Sequence, residues 1–481
     1  MIKKLNFIAV MYFTSLMLNA QDIDLSKFVV PEYSRNELQF NFNSSNNGEW
    51  SEEAESDIQD DQKNNSISLI NNSRINFNRY ANSSSYQGSQ SISVGLDFPQ
   101  MRKSNAETAI SSSSIKSRTS SGSISYNSTN RFYSDSKWYW EADPNVNLRL
   151  YGNYYLNEFN FNYPDVNNSV EERKSANYSG NVNADFRVGK GRVEPVEDLR
   201  QVVYILTELK KAGRISREIS EDETILIAQK LSALKNRRFL DSRLRLIEEM
   251  TEIEKIMTEM DIISDNDAIF FATVNDYWSM TANPVRSSGS RISLGVLPGY
   301  FFQDYHANGT VKYFNPDSIF PFESKEILNV VSTYISARYE RFEPINLYWQ
   351  QDFVAELFTD FESRTSEYMS DPEKSRMLYY GASANYSLKF YPNSRTEYSG
   401  DASLLLKRGE GAEDSVVEYR YASGNLKLSG KYYFSPHLTM QGSAGFNYYN
   451  RFDLTLNNTS IFPTKKDTKL FLNVSLLYKI F

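Results

Sequence analysis

At 481 residues, the chain contains no cysteine and only two histidines, and its formal net charge is −8. The lack of cysteine excludes a disulfide scaffold and any cysteine-based metal site or nucleophile, and two histidines leave little material for histidine catalysis. The negative charge argues against nucleic acid as a partner. Aromatic residues make up 14 % of the chain although its mean hydropathy is −0.53, a combination typical of strands with one apolar and one wet face.

The N-terminus has the pattern of an export signal. Two lysines precede an apolar core from Phe7 to Leu18, and small residues end the pattern at Ala20. We therefore expect residues 1–20 to be a signal peptide cleaved near Ala20, and residues 21–33 to form an N-terminal periplasmic segment or a partial plug. A short membrane anchor is the alternative, but the apolar core is shorter than the ~20 residues that a spanning helix needs.

Apolar and polar residues alternate before and after a central helical region. The alternation is sustained from Ala176 to Val188, from Leu378 to Phe390 and from Leu470 to Ile480. A period of two over such a length predicts one apolar and one polar face, and strands this long fit tilted membrane-crossing strands better than the short strands of soluble sandwiches. About fourteen strands are predicted, near residues 35–44, 65–79, 85–98, 114–129, 145–161, 175–188, 287–303, 327–341, 345–358, 377–391, 395–407, 416–434, 437–451 and 467–481.

The connections between these strands alternate in length. Outer-membrane barrels combine short periplasmic turns with long outer loops and have an even number of strands. The link 130–144, which holds Trp138 and Trp140, is long where the alternation requires a short one, so twelve and sixteen strands are alternatives. The long links are 45–64, 99–113, 162–174, 304–326, 359–376, 408–415 and 452–466, and the short ones are 80–84, 342–344, 392–394 and 435–436.

Residues 191–284 have a helical period instead. Pro195 suits the first position of a helix, which tolerates a missing N–H, and Gly213 suits the end of that helix. Ser220 and Glu223 have the spacing of a capping box that begins a second helix. Two further helices are expected before the strands resume. Because charged residues interrupt all of these helices, the region is predicted to be a small water-facing domain.

With these features the chain resembles a Gram-negative outer-membrane β-barrel protein. The signal peptide, the alternating strands, the alternating links and the C-terminal aromatic Phe481 carry the resemblance. It implies a mainly β fold, a transmembrane antiparallel β-barrel of about fourteen strands with an inserted small α-helical domain. The first part of the barrel is expected at residues 34–190, with about six strands, and the second part at residues 285–481, with about eight.

The resemblance also implies a location in the cell outer membrane. In this class a terminal aromatic residue helps the outer-membrane assembly machinery to recognise the last strand; Phe481 matches, although it is out of phase with the apolar set that ends at Ile480. With six strands before it and the N-terminus inside, the insert 191–284 would lie in the periplasm. The expected partners are outer-membrane lipid, the assembly machinery and a periplasmic protein or polymer at the insert.

If the apolar faces meet lipid, the opposite faces line a lumen. A barrel of about fourteen strands is too wide for side chains alone to fill, so its interior holds water, a ligand or a plug. Charged residues on this face are candidates for binding a polar solute, and the alternative is that they pair with one another as a structural network. They are Arg149, Asp185, Arg187, Arg291, Arg338, Glu340, Asp352, Glu356, Lys389, Asp401 and Lys431.

Other clusters of charged residues and histidines are weaker candidates for a functional site. The positive residues of the helical region are candidates for binding a partner, with ordinary helix surface as the alternative. His306 stands beside Asp304 in a predicted outer loop and His437 in a short turn, and the acidic run 49–61 lacks the spacing of a calcium loop. We therefore expect no enzyme activity, no metal and no cofactor. The partner-binding candidates are Lys235, Arg237, Arg238, Arg243 and Arg245.

Two functions remain open. The first is a channel or transporter for a polar solute, with a periplasmic helical domain that gates it. The second is an outer-membrane anchor whose helical insert docks a periplasmic partner or a polymer-export or assembly machine.

Overall fold

The protein consists of one large β-sheet and four helices, as seen in a computed structural model. The structure describes residues 23–53, 62–107, 111–161, 168–236, 242–263, 267–280, 286–314, 317–368, 371–393, 395–411, 418–435, 438–454 and 465–478. The strands are β1 (Tyr33–Glu53), β2 (Gln62–Asn82), β3 (Tyr86–Asp97), β4 (Gln100–Glu107), β5 (Ser111–Tyr133), β6 (Trp138–Phe161), β7 (Ser169–Pro195), β8 (Ser287–Phe314), β9 (Asp317–Pro344), β10 (Trp349–Tyr368), β11 (Asp371–Asn393), β12 (Thr396–Gly411), β13 (Glu418–Tyr433), β14 (Leu438–Leu454) and β15 (Lys465–Tyr478). The helices are α1 (Glu197–Lys211), α2 (Glu221–Lys235), α3 (Ser242–Glu259) and α4 (Ala268–Met280), and a short 3-10 turn spans Leu25–Lys27.

All neighbouring strands are antiparallel, in chain order from β1 to β15. β3 and β4 form one interrupted strand, because both pair with β2 on one side and with β5 on the other. Pro99 lies in the gap between them, where a residue without an N–H interrupts the ladder. The mainly β fold with a helical insert is therefore confirmed, and each of the predicted strands overlaps one in the structure. Within the described residues no ladder joins β1 to β15.

The two faces of the sheet differ in chemistry. Leu357, Ala382 and Leu406 lie opposite one another on adjacent strands, and we call their side of the sheet the apolar face. The other side carries Arg187 and Glu340, and we call it the polar face. Leu357 on the apolar face is 64 % exposed, whereas Arg187 and Glu340 are only 7 % and 4 % exposed. A continuous exposed apolar surface of this extent marks a contact with something other than water.

The strands continue well beyond their predicted ends. The predicted link 304–326 lies almost entirely inside β8 and β9, with 315–316 between them. His306 is therefore in a strand, opposite Lys325, and its Nε2 lies 2.7 Å from Oδ1 of Asp304. The loop prediction there is wrong because a ladder needs only backbone pairing. The side chains there do not alternate, because Ile319 and Phe320 are successive apolar residues of β9 and so lie on opposite faces of the sheet.

The link between β5 and β6 is also shorter than predicted. It spans residues 134–137, so Trp138 and Trp140 are the first part of β6. Pro144 accounts for the wrong prediction, since proline in a run of residues argues against a strand. The ladder is irregular there, and the N–H of Asn130 donates to Oδ1 of Asp143 at 2.6 Å instead of to a backbone carbonyl. With this correction, every link at the insert end is short except the insert itself.

The insert begins later than the sequence pattern indicates. Pro195 is the last residue of β7, opposite Ser287, and not the first residue of a helix. Gly213 follows α1 with a φ of +69°, a conformation that glycine adopts without strain, so the predicted helix end is confirmed. The capping box of α2 is confirmed too: the N–H of Glu223 donates to Oγ of Ser220 at 3.3 Å, and the N–H of Ser220 donates to the Glu223 carboxylate at 2.9 Å.

The helices enclose their own core, and the N-terminal segment belongs to it. Leu25 and Phe28 are buried in the same cluster as Leu199, Ile253 and Phe270. Burial of one such side chain stabilises a fold by roughly 1.5–3 kcal/mol. We call residues 23–32, α1–α4 and Arg286, which immediately precedes β8, together the helical domain. Among the described residues, no helix has both the length and the apolar composition needed to cross a membrane.

Candidate functional site

Ion pairs on the polar face bring several predicted residues together. The Arg187 guanidinium lies 2.7 Å from Asp185 and 3.6 Å from Glu356, and it donates to Oγ of Ser336 at 3.1 Å. These contacts extend from β7 to β10. Gly295 on the intervening β8 makes this possible, because a Cβ there would lie 2.6 Å from Cγ of Arg187. The glycine is thus required for the close approach of the arginine.

A second group of ion pairs lies beside the first. Glu340 pairs with Arg291 on β8 and with Arg338 on its own strand, the latter at 2.9 Å. On β5 and β6, Arg131 pairs with Glu141, which is 6 % exposed. Sequence reasoning missed Arg131 and Glu141, because their strands lack a clear alternation. Charges of both signs are packed against one another here, in the arrangement of a structural network.

The remaining lumen candidates are more scattered. Lys389 lies 2.7 Å from Asp352, and Asp401 accepts hydrogen bonds from Ser387 and Ser399 at 2.6 and 3.0 Å. Arg149 lies on β6 opposite Ser123 and Ser179, and its side chain is exposed. The Lys431 ammonium lies 5.5 Å from the centre of the Tyr433 ring. The network therefore gathers six of the predicted candidates, namely Asp185, Arg187, Arg291, Arg338, Glu340 and Glu356.

The helical domain is held to the sheet by buried arginines, which the sequence did not reveal. Arg286, just before β8, donates to the backbone carbonyls of Leu347 at 2.6 Å, Asn346 at 2.7 Å and Trp349 at 2.7 Å. Its guanidinium carbon lies 5.3 Å from the centre of the Tyr391 ring at the end of β11. Arg286 thus joins the end of the insert to the β9–β10 turn and to β11.

Arg200 on α1 completes this cluster. Its guanidinium carbon lies 5.0 Å from the centre of the Tyr391 ring, and it donates two bonds to Oε1 of Glu197, at 2.5 and 2.9 Å. Burial raises the pKa of Glu197, although Arg200 opposes the shift. Burial and then the nearby Arg200 lower the pKa of Arg286 to about 10. We call Arg200, Arg286 and Tyr391 the seat of the helical domain.

The helical domain touches further turns at the same end of the sheet. Asp276 on α4 forms an ion pair of 2.8 Å with Arg395 in the β11–β12 turn. The N-terminal segment reaches the β2–β3 turn, since Glu32 accepts from the Ser84 N–H at 3.1 Å and Val30 from Asn82 at 3.5 Å. The domain is therefore attached to strands that lie far apart in the order of the sheet.

The partner-binding candidates are only partly described. Lys235 pairs with Asp198 at 2.5 Å and lies 5.2 Å from the centre of the Trp278 ring, so it contributes to the domain itself. Arg237, Arg238 and His437 lie outside the described residues, and so does the acidic run from residue 54 onward. Arg243 and Arg245 lie in α3, but their side chains are outside the description. No three His, Asp or Glu side chains within the described ranges converge as a metal site would require.

No protein-family model and no curated protein matches the chain. Among solved structures, the chain is similar to a mutant of the ferric enterobactin receptor PfeA of Pseudomonas aeruginosa, with 8 % identity over 87 % of this chain and 75 % of that one. The TM-score is 0.11, which means that the two backbones do not superpose as one fold.

Proposed function

We propose that the chain is an outer-membrane β-barrel that passes a polar solute, and that the helical domain is a lid over its periplasmic end. The attachment of the helical domain carries this proposal. One domain contacts the β2–β3, β9–β10 and β11–β12 turns, which lie on distant strands of the sheet. If the sheet is closed into a barrel, a single domain attached to such distant strands lies across the end of that barrel.

Closure of the sheet is part of the proposal. With β3 and β4 counted as one, the sheet has an even number of strands, so β1 and β15 run in opposite directions. Two edge strands of this kind can pair, and in lipid a closed barrel satisfies every backbone polar group. The large apolar side chains of the apolar face, such as Leu472 with 76 % exposure, would then meet lipid.

The polar face supports passage of a polar solute. Exposed charges such as Arg149 offer a wet surface, and a barrel of about fourteen strands is wider than side chains can fill. The packed ion pairs around Arg187 and Glu340 restrict the interior, which fits a closed state. Anchoring is the second candidate, favoured by the exposed Ile247 on α3 and Ile269 on α4, at 61 % and 48 %.

Removal of the lid tests the proposal. The N–H of Val196 donates to the carbonyl of Arg286 at 2.8 Å, so an Asn-Gly turn between these two residues continues the β7–β8 ladder without residues 197–285. In a planar bilayer the shortened barrel is expected to conduct more than the intact protein. Conductance near background in both forms would overturn the channel. Recovery of a periplasmic component by the intact protein, lost in an Ile247→Lys variant, would then favour the anchor.

A further inference from the structure

Four tyrosines lie together on the polar face, towards the end of the sheet opposite the helical domain. The ring centres of Tyr379 on β11 and Tyr419 on β13 are 5.9 Å apart, those of Tyr419 and Tyr421 6.4 Å, and those of Tyr421 and Tyr449 on β14 6.2 Å. Tyr421 on β13 lies directly opposite Lys407 on β12. In the register of the sheet, both residues belong to the same cross-strand row as Ser336 of the ion-pair network on β9. We call these four tyrosines the tyrosine platform.

The ring of Tyr379 lies flat against the sheet. A Cβ at Gly409 would lie 2.5 Å from Cδ1 of Tyr379, so the tyrosine ring lies across the backbone of β12. Rings that cover glycines in a sheet can have a purely structural role. That role does not account for Tyr421, which faces Lys407 and Arg451, or for Tyr449, which faces Ser423 and Asp467.

Two cations flank the centre of the platform. The Lys407 ammonium lies 3.7 Å from the centre of the Tyr379 ring, and the Arg451 guanidinium carbon lies 5.2 Å from that of Tyr419. Both residues are directly opposite Tyr421, one on each neighbouring strand, so their backbones are about 10 Å apart, or two strand spacings. Acidic residues surround the platform in the register: Asp360 lies opposite Tyr379, Asp453 opposite Tyr419 and Asp467 opposite Tyr449, and Glu362 follows Asp360 on the same face of β10.

This combination suits one kind of polar molecule. Aromatic rings have negative faces that attract the C–H groups on the flat side of a sugar ring. Stacking of the sugar on the ring also removes apolar surface of both from water. Two cations on either side of such a ring favour a carboxylate through charge-assisted hydrogen bonds. We propose that the tyrosine platform binds an acidic saccharide, with one sugar ring stacked on Tyr421 and its carboxylate between Lys407 and Arg451.

This inference rests on the proposed function, because it names the solute class of the same interior. Its test is binding of trigalacturonate to the full chain in detergent micelles, measured by calorimetry. Tyr421→Ala and Tyr449→Ala are expected to weaken binding at least about tenfold, as loss of a stacking partner does. Tyr421→Phe, which keeps the ring, and Tyr448→Ala, which removes a neighbouring ring on the apolar face, are expected to bind like the wild type.

The role of the two cations, Lys407 and Arg451, is tested separately. Lys407→Gln and Arg451→Gln are expected to weaken binding of trigalacturonate but not of the neutral maltotriose. Failure of the wild type to bind trigalacturonate, or equal losses in Tyr421→Ala and Tyr448→Ala, overturns the proposal. Equal affinity of the wild type for both sugars overturns the acidic specificity. Conductance of the shortened barrel separates this proposal from the proposed channel function. If the shortened barrel conducts but the full chain binds no saccharide, only saccharide binding by the tyrosine platform is refuted. If the full chain binds the saccharide but the shortened barrel does not conduct, only the channel function is refuted.

Discussion

Arg286 and Tyr391 meet at the junction of the two parts of the molecule, with the guanidinium carbon of Arg286 5.3 Å from the centre of the tyrosine ring. Arg286 ends the insert and Tyr391 lies near the end of β11, so the contact links the helical domain to that strand. Arg200 lies 5.0 Å from the centre of the same ring. Any movement of the helical domain relative to the sheet has to break or carry along this cluster.

Loss of Arg286 should loosen the attachment of the helical domain to the sheet. Arg286→Ala leaves the carbonyls of Leu347 and Asn346 without this donor, at a cost of roughly 1–3 kcal/mol for a buried group left unsatisfied, whereas the Trp349 carbonyl still accepts from the N–H of Ile345. Hydrogen exchange of the β9–β10 turn and of α1 should therefore accelerate, as measured by mass spectrometry on the protein in micelles. Lys210→Ala, at an exposed ion pair, is the matched control and should change nothing. Equal exchange in all three proteins would contradict the role of the seat.

The assignment of faces predicts that two adjacent positions differ in how well they tolerate a substitution by arginine. Ala382 lies on the apolar face beside Leu357 and Leu406, and Ser383 lies on the polar face opposite Glu356. Ala382→Arg should cost roughly 2–4 kcal/mol of folding free energy in lipid, and Ser383→Arg much less. Refolding titrations in phospholipid vesicles measure both. Equal losses at the two positions would show that the faces are assigned wrongly.

The orientation can be tested because the chain has no native cysteine. Ser232 on α2 is 1 % exposed and so would not react from either side of a membrane. Lys255 on α3 and Asp317 at the start of β9 have side chains that are 62 % and 76 % exposed. On intact cells a membrane-impermeant maleimide should label Asp317→Cys and should label Lys255→Cys only after permeabilisation. The reverse pattern would place the helical domain outside the cell.

The acid sensitivity of α2 follows from its capping box. Hydrogen bonds from Arg217, and then from Ser220, lower the pKa of Glu223 to about 2. A lowered carboxyl pKa contributes stability that is present above the ordinary value of 4.5 and is lost as the pH falls through the folded value. Protection of the helical domain against pepsin should therefore decrease from pH 4.5 towards pH 2 in the wild type. The Glu223→Gln variant should be less protected than the wild type at pH 4.5, and its protection should decrease less as the pH falls. Parallel curves for the two proteins would refute this explanation.

Much of the fold could be predicted from the sequence, because one physical signal dominates it. Strands with one face in apolar surroundings must alternate, so the run from Leu378 to Phe390 revealed β11. The signal stops where apolar residues occupy both faces of a strand, as Ile319 and Phe320 do on β9. For this reason the sequence predicts a loop, which includes His306, for the outer parts of β8 and β9. Proline causes an error in the same direction at Pro144, which lies inside β6 although the sequence predicts a link there.

The candidate site was less predictable, because ion pairing depends on register. The sequence shows that Arg187 lies on the polar face, but only the ladder of β7 to β10 brings it near Glu356. The seat shows the same limit. Arg286 stands outside any periodic pattern, and its partners are backbone carbonyls of a turn about sixty residues later, a separation of 60 to 63 positions. Sequence patterns do not contain such contacts.

The most direct test of the gating lid keeps it in place and fixes it reversibly. Asp276 on α4 and Arg395 in the β11–β12 turn form a half-exposed ion pair, so cysteines at both positions can be joined by a reducible bis-maleimide linker. The measurement is solute uptake by liposomes that contain the intact protein, before and after reduction of the linker. The lid account predicts that linking abolishes uptake and that reduction restores it, whereas Asp276→Cys alone responds to neither step. Uptake that is the same with the linker intact and reduced would contradict a gating role of the helical domain.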